Sequence, residues 1–215
     1  RSTPDGYNLT IAIPDSLIGV ASLIKNPGYD ARTDITPIMK FCNAVLVMIA
    51  SKPTGVKNVA ELLAAARARP GRIAYGSWGQ GTIVHLLMKS IEDLTQTSFL
   101  NVPYKGLAPI LTDIVGDQVQ IAVVPGSIAA QYEQKGLTTT PCTFGTRSPQ
   151  VPNVLTIQEQ GLDAPMLRSG LWTSIVGPKG LSAAVVKRWN DVLTEVGRSP
   201  DMVQFLASIG QTPVL

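Results

Sequence analysis

The chain has 215 residues, of which 45% are hydrophobic and 15% charged, enough for one large domain or two small ones. This composition excludes charge-driven disorder, and the longest apolar run, residues 44–50, is far shorter than the roughly 20 residues that a membrane-spanning helix needs. The 18 basic and 15 acidic residues are scattered, so we expect no nucleic-acid partner, and two cysteines with one histidine predict neither a metal site nor a cofactor.

The first residues of the chain carry no recognisable targeting signal. The segment RSTPDGY has no charged stretch followed by an apolar one, so we expect no signal peptide within this chain. Composition alone therefore leaves a cytosolic protein and a mature or trimmed exported protein as open alternatives.

Strand-like and helix-like apolar patterns alternate along the chain. In the clearest helix, Asn58 can cap the first turn, Glu61 occupies the capping-box position and Pro70-Gly71 stops the helix. This alternation predicts an α/β protein with mainly parallel or mixed sheets and helices on both faces. The predicted strands are 7–13, 45–50, 72–75, 99–102 and 119–124, and the predicted helices are 57–67, 82–94 (apolar on one face), 108–115, 127–134, 182–196 (starting at a Ser cap) and one from Pro200.

The most informative segment is the loop YGSWGQGT, residues 75–82, between a predicted strand and a predicted helix. Its three glycines let the backbone turn tightly, and the following helix directs its unpaired N–H groups and positive dipole end toward the loop. Such a place binds an anion, with Ser77 and Thr82 as additional hydroxyl donors. From spacing alone, a strained turn that caps the helix without any ligand stays open as an alternative.

Two nucleotide-binding motifs fit this loop poorly. A P-loop requires a lysine directly after its second glycine, but Thr82 follows Gly81. The dinucleotide fingerprint G-x-G-x-x-G requires a third glycine where the chain has Val84. The loop therefore favours a carboxylate over a polyphosphate.

Three neighbouring residues are further candidates. Lys105 follows a predicted strand and would add a cation near a bound anion, or be a solvated loop lysine. His85 lies one helical turn after Thr82, where a structural hydrogen-bonding role is favoured over catalysis. Trp78 is a large aromatic residue in a glycine loop, and it would stack on a ligand, cover the site, or be an ordinary surface residue.

Recognisable catalytic motifs are absent from the sequence. It contains no G-x-S-x-G or H-E-x-x-H, and neither cysteine forms a known pattern with the histidine. Cys42 and Cys142 are expected to be buried thiols in strands, with a disulfide between them as the open alternative in an oxidising compartment. A pair of carboxylates acting as acid and base leaves no sequence signature, so that chemistry stays open too.

Several motifs together resemble one protein family. They are YGSWGQGTIVHL at 75–86, VPYKG at 102–106, Ala108-Pro109 and LTD at 111–113, supported by shorter pieces in the same order along nearly the whole chain. They resemble the Bug-type periplasmic solute-binding proteins of tripartite tricarboxylate transporters. The resemblance implies a type II, flytrap-like periplasmic-binding-protein fold with two lobes, residues 1–51 with 171–215 and residues 52–170.

The same resemblance implies a function and a set of ligand residues. It implies a monomeric, non-enzymatic periplasmic receptor that binds a small organic carboxylate in the cleft between its lobes and delivers it to membrane transporter subunits. Delivery of the closed form to a membrane sensor kinase is the alternative. The implied ligand contacts are Ser77, Gly79, Gly81 and Thr82 in the second lobe and Ile13, Pro14, Asp15 and Ser16 in the first.

The sequence departs from the family pattern in three ways. An N-terminal segment with one ligand loop, and a final helix, are expected to lie outside this chain. The family often has an acidic residue where Val124 stands, so the site is expected to disfavour amino-acid ligands. Trp78 replaces a small residue and, with Val124, indicates a ligand with an apolar or aromatic body.

Overall fold

The computed structural model describes residues 2–19 and 25–214. The chain forms two compact units, one made of Arg1–Ala44 and Leu171–Leu215, the other of Val45–Gly170. The chain passes from the first unit to the second at residue 45, before the boundary at residue 51 that the sequence predicts. The reason is that the strand Leu46–Ser51 hydrogen-bonds on both sides to strands of the second unit. No helix in the described part of the chain is long and apolar enough to cross a membrane.

Within these described residues, the fold has nine strands and six α-helices. Short helical turns of other types lie at Asp15–Gly19, Lys52–Thr54 and Met166–Arg168. In chain order the elements are β1 (Thr10–Ala12), β2 (Ile35–Ala44), β3 (Leu46–Ser51), α1 (Val59–Ala68), β4 (Ala74–Ser77), α2 (Ile83–Thr95), β5 (Leu100–Pro103), α3 (Leu107–Val115), β6 (Ile121–Pro125), α4 (Gly126–Gln134), β7 (Thr138–Thr143), β8 (Leu171–Pro178), α5 (Ala183–Arg198), α6 (Pro200–Ser208) and β9 (Gln211–Pro213).

The first unit is built on a four-stranded sheet in the order β1-β8-β2-β9, with antiparallel pairing throughout. The side-chain amide of Asn190 ties α5 to β2 by donating to the Ile38 carbonyl at 3.1 Å. The Trp189 indole N–H likewise donates to the Gly6 carbonyl at 2.9 Å. The predicted cap of α5 is confirmed, since the Ser182 hydroxyl accepts a hydrogen bond from a backbone N–H of the first turn.

The second unit contains a mixed five-stranded sheet in the order β5-β4-β6-β3-β7. β4 runs parallel to β5 and β6, whereas β3 is antiparallel to β6 and β7. Each of the three parallel strands is followed directly by a helix, so α2, α3 and α4 all begin at the edge where these strands end. In α/β sheets this edge is the usual place for a ligand.

The core of the second unit explains why β3 reads as a continuous apolar run. All residues of Leu46–Ser51 are fully buried, as expected for a central strand that is covered on both faces.

The predicted cap of α1 is also confirmed. The Asn58 side chain accepts the Glu61 N–H at 2.9 Å, and the Glu61 carboxylate accepts the N–H of Lys57 at 2.7 Å.

The sequence prediction misses four strands, β2, β7, β8 and β9. β2 contains Pro37 and two irregularities in its register with β8. β7 contains Pro141 and is an outermost strand of its sheet. Both strands therefore lack a regular strand pattern. The predicted strand 7–13 is too long, because only Thr10–Ala12 pairs and Tyr7 is 90% exposed. Cys42 and Cys142 are buried free thiols in β2 and β7, as predicted.

Candidate functional site

The glycine loop joins the end of β4 to the start of α2, as the sequence predicts. Ser77 is the last residue of β4, and Thr82 occupies the N-cap position of α2 with extended backbone angles. Gly79 and Gly81 have φ values of +120° and +77°, which side chains rarely allow. No atom lies within 4 Å of where a Cβ on Gly79 would be, so its backbone conformation, and not crowding, requires the glycine there.

The two hydroxyl groups of the loop are already hydrogen-bonded to other groups of the protein. The Ser77 Oγ donates to Asn101 Oδ1 at 2.6 Å, and the Thr82 Oγ1 donates to the Gly79 carbonyl at 2.8 Å. Ser77 has 0% exposed surface, so this residue lies beneath the loop and supports it. The sequence predicts both hydroxyls as direct donors to a ligand, whereas in this arrangement their protons hold the loop in shape.

His85 has the structural role that the sequence favours. Its Nδ1 accepts the backbone N–H of Gly81 at 3.0 Å. This bond links the first turn of α2 to the loop, so the imidazole stabilises the loop from the helix side.

The start of α2 supplies donors of its own. Its first i to i−4 bond runs from the Leu86 N–H to the Thr82 carbonyl at 3.0 Å. The amides of Val84 and His85 come before that bond, where a helix offers no carbonyl partner four residues back. Together with the helix dipole, they make this end of α2 favourable for a negative charge.

The segment at 103–106 lies against the glycine loop. The Tyr104 N–H donates to the Ser77 carbonyl at 2.8 Å, and the Tyr104 hydroxyl donates to Asp113 Oδ2 at 2.6 Å. Burial, together with this bond to Asp113, raises the pKa of Tyr104 to about 12. Lys105 is exposed and directly precedes Gly106, the N-cap residue of α3, so this cation is carried at the same edge of the sheet as the loop.

Val124 belongs to the core of the second unit, and Trp78 packs against that core. Val124 has 0% exposed surface and pairs with Val47 of β3, because β6 is an internal strand of the sheet. Trp78 is half-buried and packs against the same apolar cluster, which also contains Ile110. Val124 is therefore a core residue with no exposed surface, whereas Trp78 is partly exposed.

The predicted first-lobe loop is a compact turn within the first unit. The Ser16 Oγ donates to the Ile13 carbonyl at 2.9 Å and accepts the Ile13 N–H at 3.2 Å, and the Tyr29 hydroxyl donates to the Ser16 carbonyl. Asp15 is half-buried at the start of the helical turn, and Pro14 is buried. Ser16 also lines a cavity of about 830 Å³ in the first unit.

Sequence reasoning missed Asn101. Asn101 lies on β5, 24 positions from Ser77, and only the parallel register of β4 and β5 brings the two together. Within residues 2–19 and 25–214, no group of three or more His, Cys, Asp or Glu residues could hold a metal ion.

Comparisons with known proteins agree with the fold. BugT of Bordetella pertussis is 26% identical over 217 residues, covering 100% of this chain and 66% of BugT. A solved structure described as a periplasmic transporter superposes with a TM-score of 0.87 at 28% identity, covering 100% of this chain and 71% of that one. An R. palustris protein solved with adipate gives a TM-score of 0.88 at 25% identity, with 99% and 71% covered.

The chain spans 54% to 66% of the length of the first curated relatives that it matches. The structural likeness confirms the predicted α/β periplasmic-binding-protein fold. The sequence model of one family, described as "Tripartite tricarboxylate transporter family receptor", matches residues 1–215. The chain therefore belongs to the receptor family of the tripartite tricarboxylate transporters, as its motifs predict.

Proposed function

We propose that this chain is part of a periplasmic solute receptor that binds a small organic carboxylate and delivers it to the membrane subunits of a tripartite tricarboxylate transporter. The observation that carries the proposal is the glycine loop, which holds Gly79 and Gly81 at positive φ directly before the N-terminus of α2. The family match and the adipate in the R. palustris relative support the same ligand class.

The proposed contacts are mostly backbone groups. A carboxylate at the loop accepts hydrogen bonds from amides of the first turn of α2, while Gly79, Gly81 and Thr82 shape the backbone that precedes this turn. Hydrogen bonds to a charged group contribute about 1.5–3 kcal/mol each, partly offset by desolvation. Lys105 adds a positive charge at the same edge. This arrangement stabilises a bound anion and provides no bond-breaking step, so the proposal is a receptor and not an enzyme.

The body of the ligand is proposed to lack an amino group. Val124 fills its place at the end of β6 with an apolar, fully buried side chain, so no carboxylate stands there to pair with an amine. Trp78 is partly exposed and is proposed to offer its aromatic side chain to the ligand beside the loop. Ile13, Asp15 and Ser16 remain proposed contacts in the first unit.

The proposal is tested by thermal unfolding and calorimetry with adipate, citrate, benzoate and glutamate. At about 100 times its dissociation constant, a ligand of the native state adds roughly 2.7 kcal/mol of stability. We expect stabilisation by at least one of the three amine-free carboxylates and none by glutamate. Stabilisation by glutamate alone contradicts the role of Val124, and no stabilisation by any of the four contradicts carboxylate binding by this chain.

A matched pair of variants tests whether carboxylates bind at the glycine loop. Lys105→Gln removes the cation beside the loop, whereas Lys57→Gln removes an exposed cation from the same unit next to the start of α1. Weaker carboxylate binding in the first variant alone supports the loop as the site. Equal binding by both variants and the native chain contradicts a contribution from Lys105.

A further inference from the structure

Asn101 lies on β5 beneath the glycine loop and is half-buried. In the parallel register it is opposite Tyr75, so its side chain shares a face of the sheet with Ser77, two residues further along β4. Its Oδ1 accepts the Ser77 hydroxyl proton at 2.6 Å. This is a link from a neighbouring strand to the residue on which the loop begins.

The link matters because Ser77 has no contact with water. The hydroxyl carries one proton, and with 0% exposed surface it depends on a protein acceptor. Once the proton is directed to Asn101, the Ser77 Oγ presents lone pairs to the loop. The Gly79 N–H donates to this oxygen at 3.2 Å.

The chain of bonds continues to the helix. The Gly79 carbonyl accepts the Thr82 hydroxyl at 2.8 Å, and Thr82 is the N-cap residue of α2. Three bonds in series therefore connect β5, the glycine at φ +120° and the first turn of the helix. Without an acceptor at position 101, the Ser77 hydroxyl is free to rotate, and the Gly79 amide loses an acceptor of fixed orientation.

We propose that Asn101 is a positioning residue of the carboxylate loop, and that it acts through the orientation of the Ser77 hydroxyl. The inference rests on the proposed function for its consequence in binding, but the effect on the loop stands without any ligand. Asn101 sets which way the Ser77 proton points, and thereby which backbone amides of the loop remain available to an anion.

The chain provides a matched control. Ser51 is also a fully buried serine of the same sheet, and it donates its hydroxyl to Asp117 at the opposite edge. Four variants are compared with the native chain, namely Asn101→Ala, Ser77→Ala, the double variant and Ser51→Ala. Exchange of the Gly79 amide with deuterium is followed by NMR in the absence of ligand, and the dissociation constant for adipate is measured by calorimetry.

We expect Asn101→Ala and Ser77→Ala each to accelerate exchange of the Gly79 amide by about tenfold, which corresponds to the loss of one hydrogen bond. The double variant is expected to match the single variants, because the two residues act through one bond. Ser51→Ala is expected to leave Gly79 exchange and adipate binding unchanged while lowering the unfolding temperature.

Asn101→Asp separates positioning from general stability. The carboxylate keeps an acceptor for the Ser77 proton, so Gly79 exchange stays at the native rate. Its negative charge lies near the bound anion, so adipate binding weakens, and added salt reduces the loss. Asn101→Ala is expected to show the reverse pattern, with fast exchange and a loss in adipate binding that salt does not restore.

Three outcomes overturn the inference. The first is native Gly79 exchange in Asn101→Ala, and the second is an equal acceleration in Ser51→Ala. The third is an additive effect in the double variant, since it separates the two residues. If the exchange pattern is as expected but the native chain binds no adipate or other tested carboxylate, the positioning role is supported and only the proposed function fails.

Discussion

The strands of the five-stranded sheet begin and end at two opposite edges, and each of these edges contains a fully buried serine that donates its hydroxyl to a side-chain oxygen. At one edge Ser51 of β3 donates to Asp117, and at the other Ser77 of β4 donates to Asn101. The donor residue and its burial are the same, and the acceptor is a carboxylate oxygen in the first case and an amide oxygen in the second. The edges differ in the structure that each bond holds.

At the Ser51 edge the bonds tie strands to one another. The Ser51 N–H donates to the Gln120 carbonyl at 2.9 Å, and Gln120 Oε1 accepts the Ala74 N–H at 3.0 Å. Gln120 Nε2 donates to the Asp117 carbonyl at 2.8 Å. These bonds join β3, β4 and β6 where β4 and β6 begin.

At the Ser77 edge the corresponding bond leads out of the sheet. It ends on the amide of Gly79 and, through Thr82, on the first turn of α2. A buried serine thus stabilises the sheet at one edge and shapes a loop before a helix N-terminus at the other. The difference follows from position, because only one edge has the ends of three parallel strands, each followed by a helix.

The largest expected effect comes from Gly79→Ala at the loop. A side chain at φ +120° costs about 1–3 kcal/mol of backbone strain, and relief of that strain changes the loop. We expect adipate binding to weaken at least tenfold, as measured by calorimetry.

Gly136→Ala is the control for this prediction. Gly136 also has positive φ and open space around a Cβ, but it follows α4 at a distance in sequence from the loop. It is expected to lose stability and keep its adipate affinity. Equal affinities for the two variants contradict the loop as the binding site.

The next largest effect is expected at the Ser51 edge. Asp117→Ala leaves the buried Ser51 hydroxyl without its acceptor, which costs about 1–3 kcal/mol in the free energy of unfolding. Asp117→Asn keeps an oxygen acceptor and tolerates the φ of +54° at this position, so it is expected to restore most of the stability.

Urea unfolding measures both Asp117 variants, and calorimetry measures their adipate binding. Native affinity in the destabilised Asp117→Ala chain is expected, because this edge does not touch the loop. A loss of affinity that follows the loss of stability contradicts the separation of the two edges.

Much of the loop could be predicted from the sequence because its signals are local. Gly79, Gly81, Thr82 and His85 lie within seven residues, and a strand followed by glycines and a helix defines their arrangement. The cap of α1 by Asn58 was predictable for the same reason, since its partner is three residues away.

The parts that were not predictable depend on contacts that are distant in sequence. Asn101 reaches Ser77 only through the register of two parallel strands. β2 finds its partner β8 across the whole second unit, with Ile35 opposite Pro178, and Pro37 obscures its own pattern. The burial of Val124 likewise depends on the position of β6 between β4 and β3, and this strand order is set by pairings with strands distant in sequence.

A smaller effect is expected from Lys105→Gln at the loop edge. Exposed charges contribute little because water and salt screen them, so we expect adipate binding to weaken by about threefold at low salt and by less at 0.5 M salt. Lys57→Gln, near the Ser51 edge, is expected to bind as the native chain does. A salt dependence that is the same in both variants contradicts a specific role for Lys105.

The smallest expected effect is a loss of folding stability at alkaline pH, when the Tyr104 phenol ionises. Its folded-state pKa of about 12 lies above the value near 10 of an unfolded tyrosine, so the folded state holds the phenol proton more tightly. The resulting stability is fully present below pH 10 and is lost as the pH rises from 10 through about 12. Tyr104→Phe lacks this contribution.

The measurement is urea unfolding of the native chain and Tyr104→Phe at pH 8, 10 and 11.5. The stability difference between them is expected to shrink above pH 10, whereas Tyr75, whose pKa burial also raises to about 12, titrates in both chains and cancels. A constant stability difference contradicts the anchoring of this phenol by Asp113.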